Sequence, residues 1–179
     1  MLIAREKKYS NIAEYILYMY QLEDMMRACK LDGKLVDERL VSKYNADMAL
    51  RAEISAWYRE LIMAMKDQKI EQTGHLQYLK LQIAELSDFN YAVLQEGDDE
   101  DYTDAFKSAL PALADIVQKS AGGAVTDMEA AFTLLYGVMV LRMKGQQVSE
   151  GTQEAARLVS AFMRKLVKKF HEAGNVEED

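Results

Sequence analysis

Apolar residues recur at steps of three and four along most of the chain, the spacing that lines one face of an α-helix. Between Asn11 and Cys29 they fall at Ile12, Ile16, Met19, Leu22 and Met26, and Asn11 and Glu14 are placed as an N-cap and its partner, so a first helix is predicted there. Leu31-Asp32-Gly33 breaks the pattern, and a shorter periodic piece follows from about Leu35 to Tyr44. Asn45 or Asp47 can cap the next helix, whose stripe is Leu50, Ile54, Trp57, Leu61 and Met65, widened by Tyr58 and Ile62. After the Thr73-Gly74 turn, Leu76, Leu79, Ile83, Leu86, Asn90 and Val93 keep a strict three-four alternation. Antiparallel bundle helices produce that seam as readily as a coiled coil does, and the expectation is burial within one chain, with Asn90 fixing register or lying at an exposed end.

Gln95-Glu96-Gly97 ends that helix. From Thr103 to Lys119 the helical positions Phe106, Leu110, Leu113 and Ile116 or Val117 surround Pro111, which predicts a kink near Leu110. Gly122-Gly123 breaks the chain again, and Thr126 with Glu129 has capping-box spacing ahead of a helix from about Asp127 to Lys144. Met128, Phe132, Leu135, Tyr136, Met139 and Val140 make this helix apolar around most of its circumference, so it is expected to be the most buried, with Gly137 admitting a close neighbour. Gly145 closes it. Ser149 opens a last helix with the face Leu158, Val159, Phe162, Leu166 and Phe170, which Gly174 is expected to end. The predicted fold is all-α, a single-domain bundle of six to seven mostly antiparallel helices over residues 1–174, with an acidic loop at about 97–104 between halves and a disordered tail at 175–179.

Composition strengthens the helical reading, because 22 Ala and 20 Leu outnumber 11 Val, 8 Ile and 5 Thr, and proline occurs once. Half the residues are hydrophobic, which excludes a wholly disordered chain. The net charge of −7 argues against nucleic-acid binding, which requires clustered cations to neutralise phosphates. Glu14 interrupts the only apolar stretch near the start that could serve as a leader, so export is not expected. The longest uncharged run, Ala130 to Leu141, falls short of the ~18 residues that span a bilayer. Basic residues Arg164, Lys165, Lys168 and Lys169 on an apolar last helix suggest either a membrane surface or the ordinary preference of cations for a helix C-terminus, and the second reading is preferred. The lone Cys29 suits a reduced, half-buried thiol in the cytoplasm.

Candidate chemistry is sparse. The acids from Glu96 to Asp101 lack the ligand spacing of a calcium loop, and with Asp104 they suit the start of the following helix instead. A di-iron carboxylate bundle needs Glu three residues before each His, whereas Gln72 precedes His75 and Lys168 precedes His171. His75 reads as a surface residue beside a turn, and His171 as a cation in a last helical turn. An anion site at Gly122-Gly123 would be opposed by Asp127 and Glu129. No catalytic residue, metal site or cofactor is therefore nominated. The richest polar cluster is Tyr18, Gln21, Glu23, Asp24 and Arg27 in the first helix, with Glu23 and Arg27 at ion-pair spacing. Exposed, these five form a solvated stripe. Buried, they line a polar pocket or a subunit contact.

The segment IAREKKYSNIAEYILYMYQLEDMMRA, residues 3–28, resembles the opening of an uncharacterised bacterial family of similar length, a domain of unknown function, and the resemblance extends over the full length. It implies an all-helical cytosolic bacterial protein and carries no activity, ligand or catalytic residue. The leading expectation is a non-enzymatic interaction or scaffold protein acting as a homo-oligomer or with a protein partner, without nucleic acid or membrane. The alternative is a small-molecule binding or catalytic bundle whose pocket the five first-helix residues line.

Overall fold

In the computed structural model, which describes residues 10–120 and 126–176, seven helices and a 3-10 turn follow one another, with no strand among the described residues. They are α1 (Ile12–Ala28), α2 (Gly33–Arg39), the 3-10 turn Val41–Lys43, α3 (Met48–Asp67), α4 (Gln77–Glu96), α5 (Glu100–Lys119), α6 (Asp127–Met143) and α7 (Glu150–Val176). The fold is all-α, as the pattern predicts.

Local side-chain chemistry sets most of the helix starts. Asn11 Oδ1 accepts the Glu14 N–H at 3.1 Å, and Asp47 rather than Asn45 caps α3 by accepting from Leu50 at 2.8 Å. At α6 the two bonds of a capping box are both present, Glu129 N–H to Thr126 Oγ1 at 3.1 Å and Thr126 N–H to Glu129 Oε2 at 2.9 Å. Of the acidic stretch, only residues 97–99 lie outside a helix. Asp99 caps α5 by accepting the Tyr102 N–H at 2.8 Å, while Glu100 and Asp101 sit in its first turn, where the dipole favours negative charge.

The chain divides into two compact units, Met1–Lys80 and Leu81–Asp179, and the division falls inside α4. In the first unit, Ile12, Ile16, Met19, Leu22 and Met26 of α1 are all buried, as are Ile54, Tyr58, Leu61, Ile62 and Met65 of α3. In the second, α5, α6 and α7 pack pairwise, and Phe162 of α7 meets the rings of Tyr102 and Phe106 with centroids 5.8 and 5.2 Å away. The seam residues Leu76, Leu79, Ile83, Leu86, Asn90 and Val93 are all buried within the one chain. Asn90 Oδ1 accepts the Tyr102 hydroxyl at 2.6 Å, so the polar seam residue is satisfied.

Several expectations need correction. Leu110 is 39% exposed, because the buried line of α5 runs through Tyr102, Ala109 and Leu113 and leaves Leu110 a full residue step off that face. In α6 the buried residues are Met128, Ala130, Ala131, Phe132, Leu134 and Val138, so burial is denser in its first half. Tyr136, Met139 and Val140 are half-buried and Met143 is exposed. Gly137 admits no close neighbour, since no atom lies within 4 Å of the place its Cβ would occupy. The last helix passes Gly174 and continues to Val176. The Gly122-Gly123 break lies outside the described residues, as do residues 177–179.

Candidate functional site

The turn between α3 and α4 is where the first-helix polar residues act. Lys69 follows α3 with φ 57°, and Ile70 N–H returns to Met65 O at 3.0 Å, a left-handed helix ending carried by a lysine. Gly74 adopts φ 94°, a conformation that side chains disfavour, and its Cβ would also press on Ile70 at 3.3 Å. The next helix then opens on Leu76, whose carbonyl accepts from Leu79 N–H at 3.0 Å but whose side chain cannot cap. The free N–H groups are met from elsewhere. Glu23 Oε1 of α1 accepts the Leu76 N–H at 2.9 Å, and Gln68 Oε1 accepts that of Gln77 at 2.8 Å.

Glu23 is fully buried, and its second oxygen accepts from His75 Nδ1 at 2.5 Å. A carboxylate withdrawn from water survives only when its lone pairs are satisfied, and here both oxygens are engaged. The His75 ring lies flat on Tyr20, with centroids 3.4 Å apart and planes 11° from parallel. A carboxylate oxygen accepts, so Nδ1 is the donor of this bond, and the His75 side chain is 30% exposed. Arg27 completes the arrangement. Its guanidinium donates to Ile70 O at 3.2 Å and to Gly74 O, and holds Asp24 at 2.9 Å.

The five predicted residues therefore part company. Glu23, Asp24 and Arg27 gather at the 68–76 turn, and Arg27 pairs with Asp24 instead of the expected Glu23, which is turned to His75. Tyr18 belongs to another group. Burial, and a hydrogen bond with Tyr44, raise its hydroxyl above the ordinary tyrosine value. Tyr44 Oη in turn lies 3.1 Å from Tyr58 Oη, whose pKa burial also raises. Gln21 is half-buried on α1. Glu23 and Arg27 spend their hydrogen bonds on the chain's own turn, whereas Asp24 is exposed and pairs with Arg27 inside α1. Sequence reasoning missed His75 and Tyr20 as partners. A glutamate among the buried positions of α1 was the available signal, but nothing local links it to a histidine 52 residues away.

The acidic run and the basic last helix meet within the second unit. Lys169 Nζ lies 2.8 Å from Asp99 Oδ2 and 5.9 Å from the centre of the Tyr102 ring, and Lys165 pairs with Asp101. These pairs join the two sequence features in one ion-paired rim, a contact different from the helix C-terminus preference expected for the α7 cations. Among the described residues, no group of three or more His, Cys, Asp or Glu side chains is placed to hold a metal ion, and no helix is long and apolar enough to cross a membrane.

Comparison with known proteins bears on the whole chain. Residues 1–177 match the family described as Domain of unknown function (DUF4924). The chain belongs to this family. No curated protein and no solved structure matches it. Family membership agrees with the resemblance seen in residues 3–28 and assigns no chemistry.

Proposed function

We propose that this member of the family is a non-enzymatic interaction protein of the bacterial cytoplasm that pairs with a second copy of itself through the outer face of α4. The observation that carries this reading is the exposure of Leu81 and Tyr91, at 60% and 66%, on the side of α4 away from its buried seam. Ala84 and Asp88 lie between them on the same face, and all four belong to the second unit. A two-fold axis that sets two such helices antiparallel brings Leu81 of one copy opposite Tyr91 of the other, because the pair is ten residues, about 15 Å, apart along the helix. In that register Asp88 faces Ala84, so no like charges oppose directly. Tyrosine is enriched at such contacts because it offers a large apolar area with a polar tip. The buried, free Cys29 suits a reducing cytoplasm. The direction of Glu23 and Arg27 toward the chain's own turn also favours this reading over a pocket lined by the first helix.

The test is the native mass of the wild type and of a Leu81→Asp, Tyr91→Asp double variant. A wild type at twice the 20.4 kDa chain mass, and a variant at the chain mass with an unchanged helical spectrum, would support the pairing. A monomeric wild type, or a variant that stays dimeric, would overturn it.

A further inference from the structure

Four cationic side chains from three elements line one open cleft of about 570 Å³ in the first unit. Lys30 comes from the turn after α1, Lys34 from α2, and Arg59 and Lys66 from α3, seven residues apart on one face of that helix. The turn that presents Lys30 is unusual, since Lys30 and Leu31 both hold left-handed backbone, with φ 57° and 51°. Such a conformation is unfavourable for residues other than glycine. It directs the chain from α1 into α2 within a few residues and so brings Lys30 and Lys34 to the same cleft as the α3 cations.

The local acids are already committed. Asp32, which also lines the cleft, accepts the N–H groups of Lys34 and Leu35 on Oδ1 at 2.8 and 3.2 Å, and its carboxyl is held below the usual range first by those bonds and then by the charges of Lys34 and Lys66. Asp37 takes Arg59 Nη2 at 2.6 Å and the Ser55 hydroxyl at 2.5 Å. Among the described residues, no carboxylate lies within ion-pair distance of Lys30, Lys34 or Lys66. In the second unit Lys107, Lys119, Lys165, Lys168 and Lys169 each have a carboxylate partner, and of its described lysines Lys144 alone has none within ion-pair distance. Three lysines left unpaired in one concavity of an acidic chain make a local positive field suited to a multiply charged anion. The volume is that of a small-molecule site.

We propose that this cleft binds a phosphorylated molecule through a diphosphate or phosphate-monoester group, held by Lys30, Lys34 and Lys66 with Arg59 at its edge. Recognition rests on side chains, because Asp32 occupies the Lys34 and Leu35 N–H groups in the first turn of the short α2. A singly charged anion gains too little there to offset the repulsion of Asp32, so selectivity for di- and trianions follows. The same chemistry is offered by a soluble oligophosphate and by a phosphomonoester lipid headgroup.

The test is calorimetric titration of the full chain with sodium pyrophosphate at matched ionic strength, alongside co-sedimentation with vesicles containing phosphatidic acid. Lys34→Gln and Lys66→Gln are the test variants, both at exposed positions, and Lys168→Gln is the control outside the cleft. The expected result is saturable binding by the wild type and by Lys168→Gln, weakened roughly tenfold in each cleft variant, as loss of one charge-assisted contact implies. Binding to pyrophosphate would assign a soluble ligand. Binding to vesicles alone, lost in the same variants, would assign a lipid headgroup. Failure of both probes to saturate, or equal binding by wild type and both cleft variants, would overturn the site. Neither variant touches α4's outer face, so this outcome is independent of the pairing test.

Discussion

The two units of this chain solve the same problem with different materials. Residues 1–80 carry 13 basic and 12 acidic side chains, net +1, whereas residues 81–179 carry 9 and 17, net −8. The first unit hides polar groups inside. Glu23 is fully buried on His75 and the Leu76 amide, Arg27 grips backbone carbonyls, and tyrosine hydroxyls meet at Tyr44 and Tyr58. The second unit rests on aromatic contacts around Phe162 and Phe170, the buried hydrogen bond from Tyr102 to Asn90, and ion pairs at the rim. Apolar contacts are non-directional and set how helices cluster. Hydrogen bonds to a buried carboxylate are directional and set how a particular turn must lie. The first unit has the harder connection to make, since Gly74 and the left-handed Lys69 shape a turn that its own local sequence does not cap.

This contrast can be broken most severely in the second unit. Phe162 is fully buried among aromatic rings, and Phe162→Ala should cost about 3–5 kcal/mol, read as a lowered urea midpoint. A loss under about 1 kcal/mol would mean that the aromatic cluster is not what holds this unit.

A smaller loss, with a different signature, is expected in the first unit. Glu23→Ala leaves the Leu76 amide and the His75 ring without their acceptor and should cost about 2–3 kcal/mol. Hydrogen exchange at Leu76 should quicken before that of Ile16 or Met19, which lie in the middle of α1. Unchanged exchange at Leu76 would show that the carboxylate does not brace the turn.

The smallest effect belongs to the exposed rim. The bond to Lys169, and then the Tyr102 N–H, hold the Asp99 carboxyl below the usual aspartate range. A carboxyl whose pKa is lower in the folded than in the unfolded chain contributes stability above the ordinary value of about 3.9 and loses it as pH falls through the folded value. Asp99→Asn retains a capping oxygen and removes the titration. Between about pH 5 and pH 3 the melting temperature of the wild type should therefore fall slightly more steeply than that of the variant. Parallel profiles would show that the rim pair adds nothing measurable, as many exposed pairs do.

Much of the architecture was legible in the residues themselves. The three-four spacing located the helices, the buried seam of α4 was readable from Leu76 to Val93, and the caps at Asn11, Asp47 and Thr126 stood within three residues of the amides they serve. These features are local, because a helix repeats every 3.6 residues and a cap reaches only its own first turn. The first-helix polar cluster was visible as a cluster, but its use was not. Glu23 and His75 are 52 residues apart and Asp101 and Lys165 are 64 apart, distances over which neither periodicity nor composition selects a partner. The sequence by itself determined roughly where the helices lie, which stripe of most of them is apolar and that the fold is all-α. Only the tertiary structure decided which carboxylate is buried, which lysines are paired and which three converge unpaired on a cleft, because long-range electrostatic partners are chosen by the positions that helix packing imposes.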